Sequence, residues 1–115
     1  MFSIEYYDLP SGKKPAEDFI DSLSPAMKSK AFASLELLEE FGNDLKYPHS
    51  APIGYGLFEL RIRFSGDISR IFYFFFDGQK IILTNGYIKK SRKAPKNEIE
   101  LARRYKADYE RRNTK

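Results

Sequence analysis

The sequence predicts an α+β domain in the order βααβββα: an antiparallel-rich, twisted sheet packed on a helical hairpin and followed by a basic C-terminal helix. Three observations lead there. Residues 57–87 alternate or run in apolar and aromatic side chains, broken only by Ser65-Gly66-Asp67 and Asp77-Gly78, which is the pattern of consecutive short strands joined by tight turns. Residues 15–42 place apolar side chains at helical spacing between two proline starts and a glycine stop. From Pro95 onward helical spacing returns, now with a strong excess of cations. At 115 residues the chain is one domain, residues 1–115, large enough to bury a core without disulfides or metals.

Each element has a local reason. Phe2–Tyr7 alternates Phe2, Ile4 and Tyr6 against Ser3, Glu5 and Tyr7, a short strand. Asp8–Lys14, with Pro10 and Gly12, is a turn. Pro15 opens a short helix, Ala16–Leu23, with Phe19, Ile20 and Leu23 on one side. Ser24-Pro25 is a cap followed by a first-turn proline, and Met27, Ala31, Leu35 and Leu38 then recur at spacings of four and three until Gly42. Asn43–Gly56, with Pro48, Pro52, Gly54 and Gly56, reads as a loop. In Leu57–Phe64, Phe58, Leu60, Ile62 and Phe64 point towards the hairpin, while Glu59, Arg61 and Arg63 point to the opposite, open face. Ile68–Phe76 is nearly continuous in apolar residues, as a central strand covered on both faces would be, and Asp77-Gly78 returns the chain as Lys80–Tyr87. The last helix has Leu101, Ala102, Tyr105 and Tyr109 as its apolar stripe, with Arg103, Arg104, Lys106, Arg111 and Arg112 on its wet sides.

Charge is distributed unevenly. Residues 1–88 hold nine Lys/Arg against twelve Asp/Glu, and residues 89–115 hold eleven against four, so a balance of −3 is followed by one of +7. A basic end of this kind implies an acidic partner, with nucleic acid leading. The absence of cysteine removes disulfides, thiolate metal sites and a cysteine nucleophile, and fits a cytoplasmic location. The opening MFSIEYYDLP has neither the basic nor the apolar region of a signal peptide, and no apolar run reaches the roughly 20 residues of a membrane span. The lone histidine, His49, lies in a proline-rich loop as an ordinary surface residue would, and the acids form no ligand spacing. Neither a metal nor a cofactor is expected.

Cations built into a sheet are out of place on a face that buries itself. Arg61 and Arg63 on one strand, Arg70 on the next, and Lys89 and Lys90 after the third would converge on one concavity, with Tyr73 and Tyr87 as stacking or hydrogen-bonding groups. Such a site suits a phosphodiester, because guanidinium forks bind phosphate oxygens in pairs and exposed rings stack on unpaired bases. Arg63, Tyr73, Lys90, Arg92, Lys93 and Lys96 form the RNA-contacting periphery, Arg63 and Arg92 being closest to ordinary surface charges. RNA supplies its own nucleophile in the 2′-OH, so cleavage needs a base, an acid and charge stabilisation; Glu59 or a lysine is the candidate base, Tyr87 or a lysine the candidate acid.

The segments Leu57–Arg61, Arg70–Phe74 and Gly86–Pro95, leading into a basic helix, resemble the phage-derived HigB-like branch of the RelE/ParE toxin superfamily. Its members carry L-x-E-L-R, R-x-x-Y-F and G-F-x-K-K-(T/S)-x-K-x-P at the corresponding places. The resemblance implies a RelE-like fold and the toxin of a type II toxin–antitoxin system, a ribosome-dependent mRNA endoribonuclease that cuts without metal by 2′-OH attack. On matching positions it implies that Arg61 and Arg70 hold the scissile phosphate, and that Lys89, Lys90 and Lys93 contact the RNA backbone or move protons. Tyr87 stands where the family often has Phe, and Asn85 where relatives often have His, which removes a titratable group from the site. The implied partners are a cognate HigA-like helix-turn-helix antitoxin, the ribosome and mRNA, with operator DNA reached only through the antitoxin complex. Two alternatives share these observations: a ParE-like toxin that poisons DNA gyrase, and a non-catalytic module that binds nucleic acid or a partner.

Overall fold

The structure, a computed structural model, describes residues 1–88 and 95–114. The elements are β1 (Ser3–Tyr6), α1 (Pro15–Asp21), α2 (Pro25–Phe41), a 3₁₀ turn (Gly42–Asp44), β2 (Ser50–Gly54), β3 (Leu57–Phe64), β4 (Asp67–Phe76), β5 (Lys80–Ile88) and α3 (Lys96–Asn113). The α+β class therefore holds, and one strand must be added to the expected order. Residues 43–56, read as a loop, contain the end of the 3₁₀ turn and all of β2. Proline hides such a strand from a sequence pattern because it cannot donate to a ladder, yet an edge strand tolerates it on its unpaired side. β2 is that edge: Ser50, Ala51 and Pro52 pair with Leu60, Glu59 and Phe58 before the register shifts ahead of Gly54.

The sheet order is β1-β5-β4-β3-β2. Neighbours are antiparallel except β1, which runs parallel to β5. β4 is central, which its unbroken apolar run required. The long helix begins where Ser24 accepts a hydrogen bond from the Met27 amide and ends at Gly42, whose φ of 52° suits a residue without a side chain.

Both faces of the sheet are covered. On one, Ala16, Ile20, Leu23, Met27, Ala31, Leu35 and Leu38 of the hairpin segment pack on Leu60, Ile62, Ile71, Tyr73, Ile81 and Leu83. Gly86 lets α1 approach closely, since a Cβ there would lie 2.4 Å from the Phe19 ring. On the other, Ala102 and Tyr109 of α3 pack with Tyr7, Leu57, Phe72, Phe74 and Ile82. Two hydroxyls tie α3 down: Tyr7 donates to Asp108 and Tyr109 donates to Glu5, each at 2.7 Å. The face opposite the hairpin, expected to stay open to water, is thus partly roofed by α3. Phe64, expected to face the hairpin, sits at the strand end beside the Ser65-Gly66 turn and is exposed. Among the described residues no helix is long and apolar enough to cross a membrane.

Candidate functional site

Cross-strand register assembles the site. Arg61 of β3 lies directly opposite Arg70 of β4, and Arg70 lies opposite Tyr87 of β5. Three of the expected residues therefore start from one row across three strands, beside the end of the α3-covered core. A bulge makes this possible. On β5, Thr84 and Asn85 together face Phe72, because the register moves from Leu83 opposite Tyr73 to Gly86 opposite Ile71. Strict alternation from Ile82 would send Tyr87 to the hairpin side; the extra residue returns it to the α3 side, where it packs against Phe72.

The charges in this row are not free. Arg70 Nη1 donates to Glu59 Oε2 at 2.5 Å, with side chains only 11% and 8% exposed. Glu59, expected on an open face as a base, is a buried carboxylate already engaged by Arg70. By strand parity it shares the α3 side of the sheet with Leu57, and its backbone pairs with Ala51 of β2. Burial pushes the Tyr87 hydroxyl above its ordinary range, while the Arg70 charge pulls the other way and Glu59 and Glu98 add to the rise. At neutral pH the phenol keeps its proton. Asn85 Nδ2 donates to the Glu98 carbonyl and to Glu98 Oε1, each at 3.2 Å, so the first turn of α3 is pinned to the bulge.

Buried donors and acceptors without partners gather here. Among the described residues, Arg61 Nε, Arg70 Nε and Asn85 Oδ1 are buried and make no hydrogen bond. Such atoms are uncommon and costly, and a row that keeps them is suited to a polar or anionic ligand. Arg61 is half-buried, and its guanidinium lies over the exposed Tyr47 ring, 5.1 Å from the centroid. Arg61 and Arg70 thus share a backbone row, while the Arg61 head turns towards the loop preceding β2.

The remaining expectations divide. Tyr73 is a correction: it is 1% exposed, sits on the hairpin face and hydrogen-bonds the Ser50 hydroxyl, so it is core and cannot stack on a base. Its parity within β4, odd with Ile71 and Phe75, places it opposite to Arg70. Arg63 is exposed on β3, and Lys96 is exposed at the start of α3. Lys89, Lys90, Arg92 and Lys93 lie outside the described residues. Glu98 was not singled out from sequence, although an acid in the first turn of a helix after the basic segment was a usable signal. No group of three or more His, Cys, Asp or Glu able to hold a metal occurs among the described residues.

No curated protein matches the chain. Residues 18–107, however, match the family described as Phage derived protein Gp49-like (DUF891), a stretch running from α1 through most of α3 and including the whole Arg61–Arg70–Tyr87 row. The chain belongs to this Gp49-like, phage-derived family.

Proposed function

We propose that this protein is the toxin of a type II toxin–antitoxin pair, a HigB-like member of the RelE superfamily, and that it acts as a ribosome-dependent mRNA endoribonuclease. The observation that carries the reading is the row of Arg61, Arg70 and Tyr87 across β3, β4 and β5, with two unpartnered guanidinium Nε atoms and a phenol that retains its proton. A phosphodiester fits that set: guanidinium donors gather charge as it grows on the phosphoryl oxygens, in a site partly closed by α3. In this scheme the 2′-oxygen attacks phosphorus and its proton passes to a neutral lysine, Lys89 being placed two residues after Tyr87 in the chain. The bond from phosphorus to the 5′-oxygen breaks, the leaving oxygen takes the Tyr87 proton, and a 2′,3′-cyclic phosphate remains. Glu59 holds Arg70 in place and is a positioning residue in this scheme. The partners proposed are the ribosome with its mRNA and a HigA-like helix-turn-helix antitoxin, in the cytoplasm.

Expression in a bacterial host, with primer extension on transcripts, tests the reading. Growth arrest with translation-dependent cuts, abolished by Arg70→Ala in a folded protein, is the expected result. Arrest with intact mRNA and damaged DNA would point to a gyrase poison, and no arrest to a binding module.

A further inference from the structure

A second cationic concavity lies around the edge of the sheet from the row just described. A pocket of about 280 Å³ is lined by Lys30, Ser34 and Leu37 of α2, by His49, and by Arg61 and Arg63 of β3. No carboxylate lines it, and among the described residues none of Lys30, Arg61 and Arg63 is ion-paired. The arrangement has a structural cause. β2 stops pairing at Ser50 opposite Leu60, and the Arg61 amide donates to the His49 carbonyl at 2.8 Å. Beyond that point β3 is an uncovered edge, so Arg63 and the Arg61 head meet the flank of α2. Three cationic side chains around one acid-free concavity repel one another, and their summed field attracts an anion. The Arg61 Nε is a buried donor without a partner at this same place.

An aromatic surface stands beside the cations. Tyr47, two residues before His49, is 67% exposed with the Arg61 guanidinium against its ring. Cation next to open ring is the arrangement that holds a single strand, phosphate on the charge and base on the ring face. An acidic peptide would satisfy the cations but leave the ring without use.

We propose that this pocket is a second RNA subsite, which takes one backbone phosphate of a single strand while the adjoining unpaired base stacks on Tyr47. Arg61 belongs to both places and links them, so a strand cut at the Arg70 row runs over the β3 edge towards α2. This deepens the RNA reading given above and rests on it. It also gives Arg63 and His49, the least promising residues of the sequence, a defined neighbourhood.

The test uses the full chain and a fluorescein-labelled 2′-O-methyl octaribonucleotide of mixed sequence, which binds but has no hydroxyl to react. Lys30→Gln with Arg63→Gln, both exposed positions, is expected to weaken binding about tenfold in anisotropy titrations. The slope of log K against log salt should become shallower by about 0.7, the value for one lost phosphate contact on a single strand. Tyr47→Ala is expected to weaken binding at least about fivefold with the slope unchanged, because stacking releases no counterions. Poly-glutamate at equal charge should compete poorly. Circular dichroism and melting confirm that each variant is folded. Variants that bind with wild-type affinity and slope, wild-type chain that does not bind the oligonucleotide, or poly-glutamate that competes as well as RNA would each overturn the subsite. mRNA cleavage is scored separately: intact binding without cutting removes the cleavage reading and keeps the subsite, whereas cutting with unaltered binding in the variants removes the subsite alone.

Discussion

The two faces of one sheet solve different problems with the same strands. The hairpin face is mostly apolar: leucine, isoleucine, alanine and methionine from the hairpin segment meet leucine and isoleucine from β3, β4 and β5, with the hydroxyl of Tyr73 paired to that of Ser50. The α3 face begins the same way, with Phe72, Phe74 and Tyr109, and then changes within one residue pair from Phe72 to the buried ion pair of Arg70 and Glu59. Burial of apolar surface accounts for most of the first face, which holds no buried charge among the described residues. It does not account for the second, because desolvating a guanidinium and a carboxylate costs several kcal/mol per ion before their attraction returns any of it. A sheet that needed only stability would carry leucine at both positions. The contrast sets a buried ion pair on the α3 side against an apolar core on the hairpin side, and the proposed catalytic row lies with the ion pair.

The contrast can be broken or sharpened by substitution, in order of the expected effect on stability. Arg70→Ala leaves Glu59 buried without its partner and should lower the unfolding free energy by about 3–5 kcal/mol in urea titrations, with cleavage reduced more than about 100-fold. Glu59→Met with Arg70→Met is the sharper form: it should regain most of that stability and none of the cleavage, and a double variant that still cuts RNA would end the assignment. Leu38→Ala on the other face should cost about 2–5 kcal/mol, with the rate per folded molecule unchanged. Loss of cleavage in that variant beyond its unfolded fraction would show that the faces are not separable.

Tyr87→Phe removes only a hydroxyl. Stability should move by no more than about 1 kcal/mol, while cleavage falls by roughly 10²- to 10⁴-fold if the phenol is the acid; an unchanged single-turnover rate would return that role to a lysine. A separate effect is on alkaline stability. Burial, with the Asp108 carboxylate beside it, pushes the Tyr7 hydroxyl up from 10.0 to about 12. The folded state then holds a proton that the unfolded chain has released, so stability is complete below pH 10 and declines between pH 10 and about 12. Melting temperatures across that window should fall less steeply in Tyr7→Phe.

Much of this was legible from local chemistry. Ser24-Pro25 and Gly42 bound the long helix because capping and positive φ are properties of single residues. Leu57–Phe64 was bounded correctly because alternation over eight residues leaves little freedom. β2 escaped because Pro52 and Gly54 suppress every local strand signal, and only pairing with β3 makes the segment extended. Tyr73 was placed with the cations on the strength of its residue type, when its parity in β4 already assigned it to the other face.

Composition and period therefore established that a basic α+β chain carries arginines on alternate positions of adjacent strands, since both are counted along one dimension. Whether those arginines meet, and on what terms, depends on pairing register and on what lies above the sheet, which no local window contains. One inserted residue at Thr84–Asn85 turns Tyr87 to the side of Arg70, and tertiary packing makes Glu59 a buried partner of Arg70 where the sequence suggested an exposed base. A bulge and a cross-strand ion pair act through long-range contacts, and the same residues without them would make a different site.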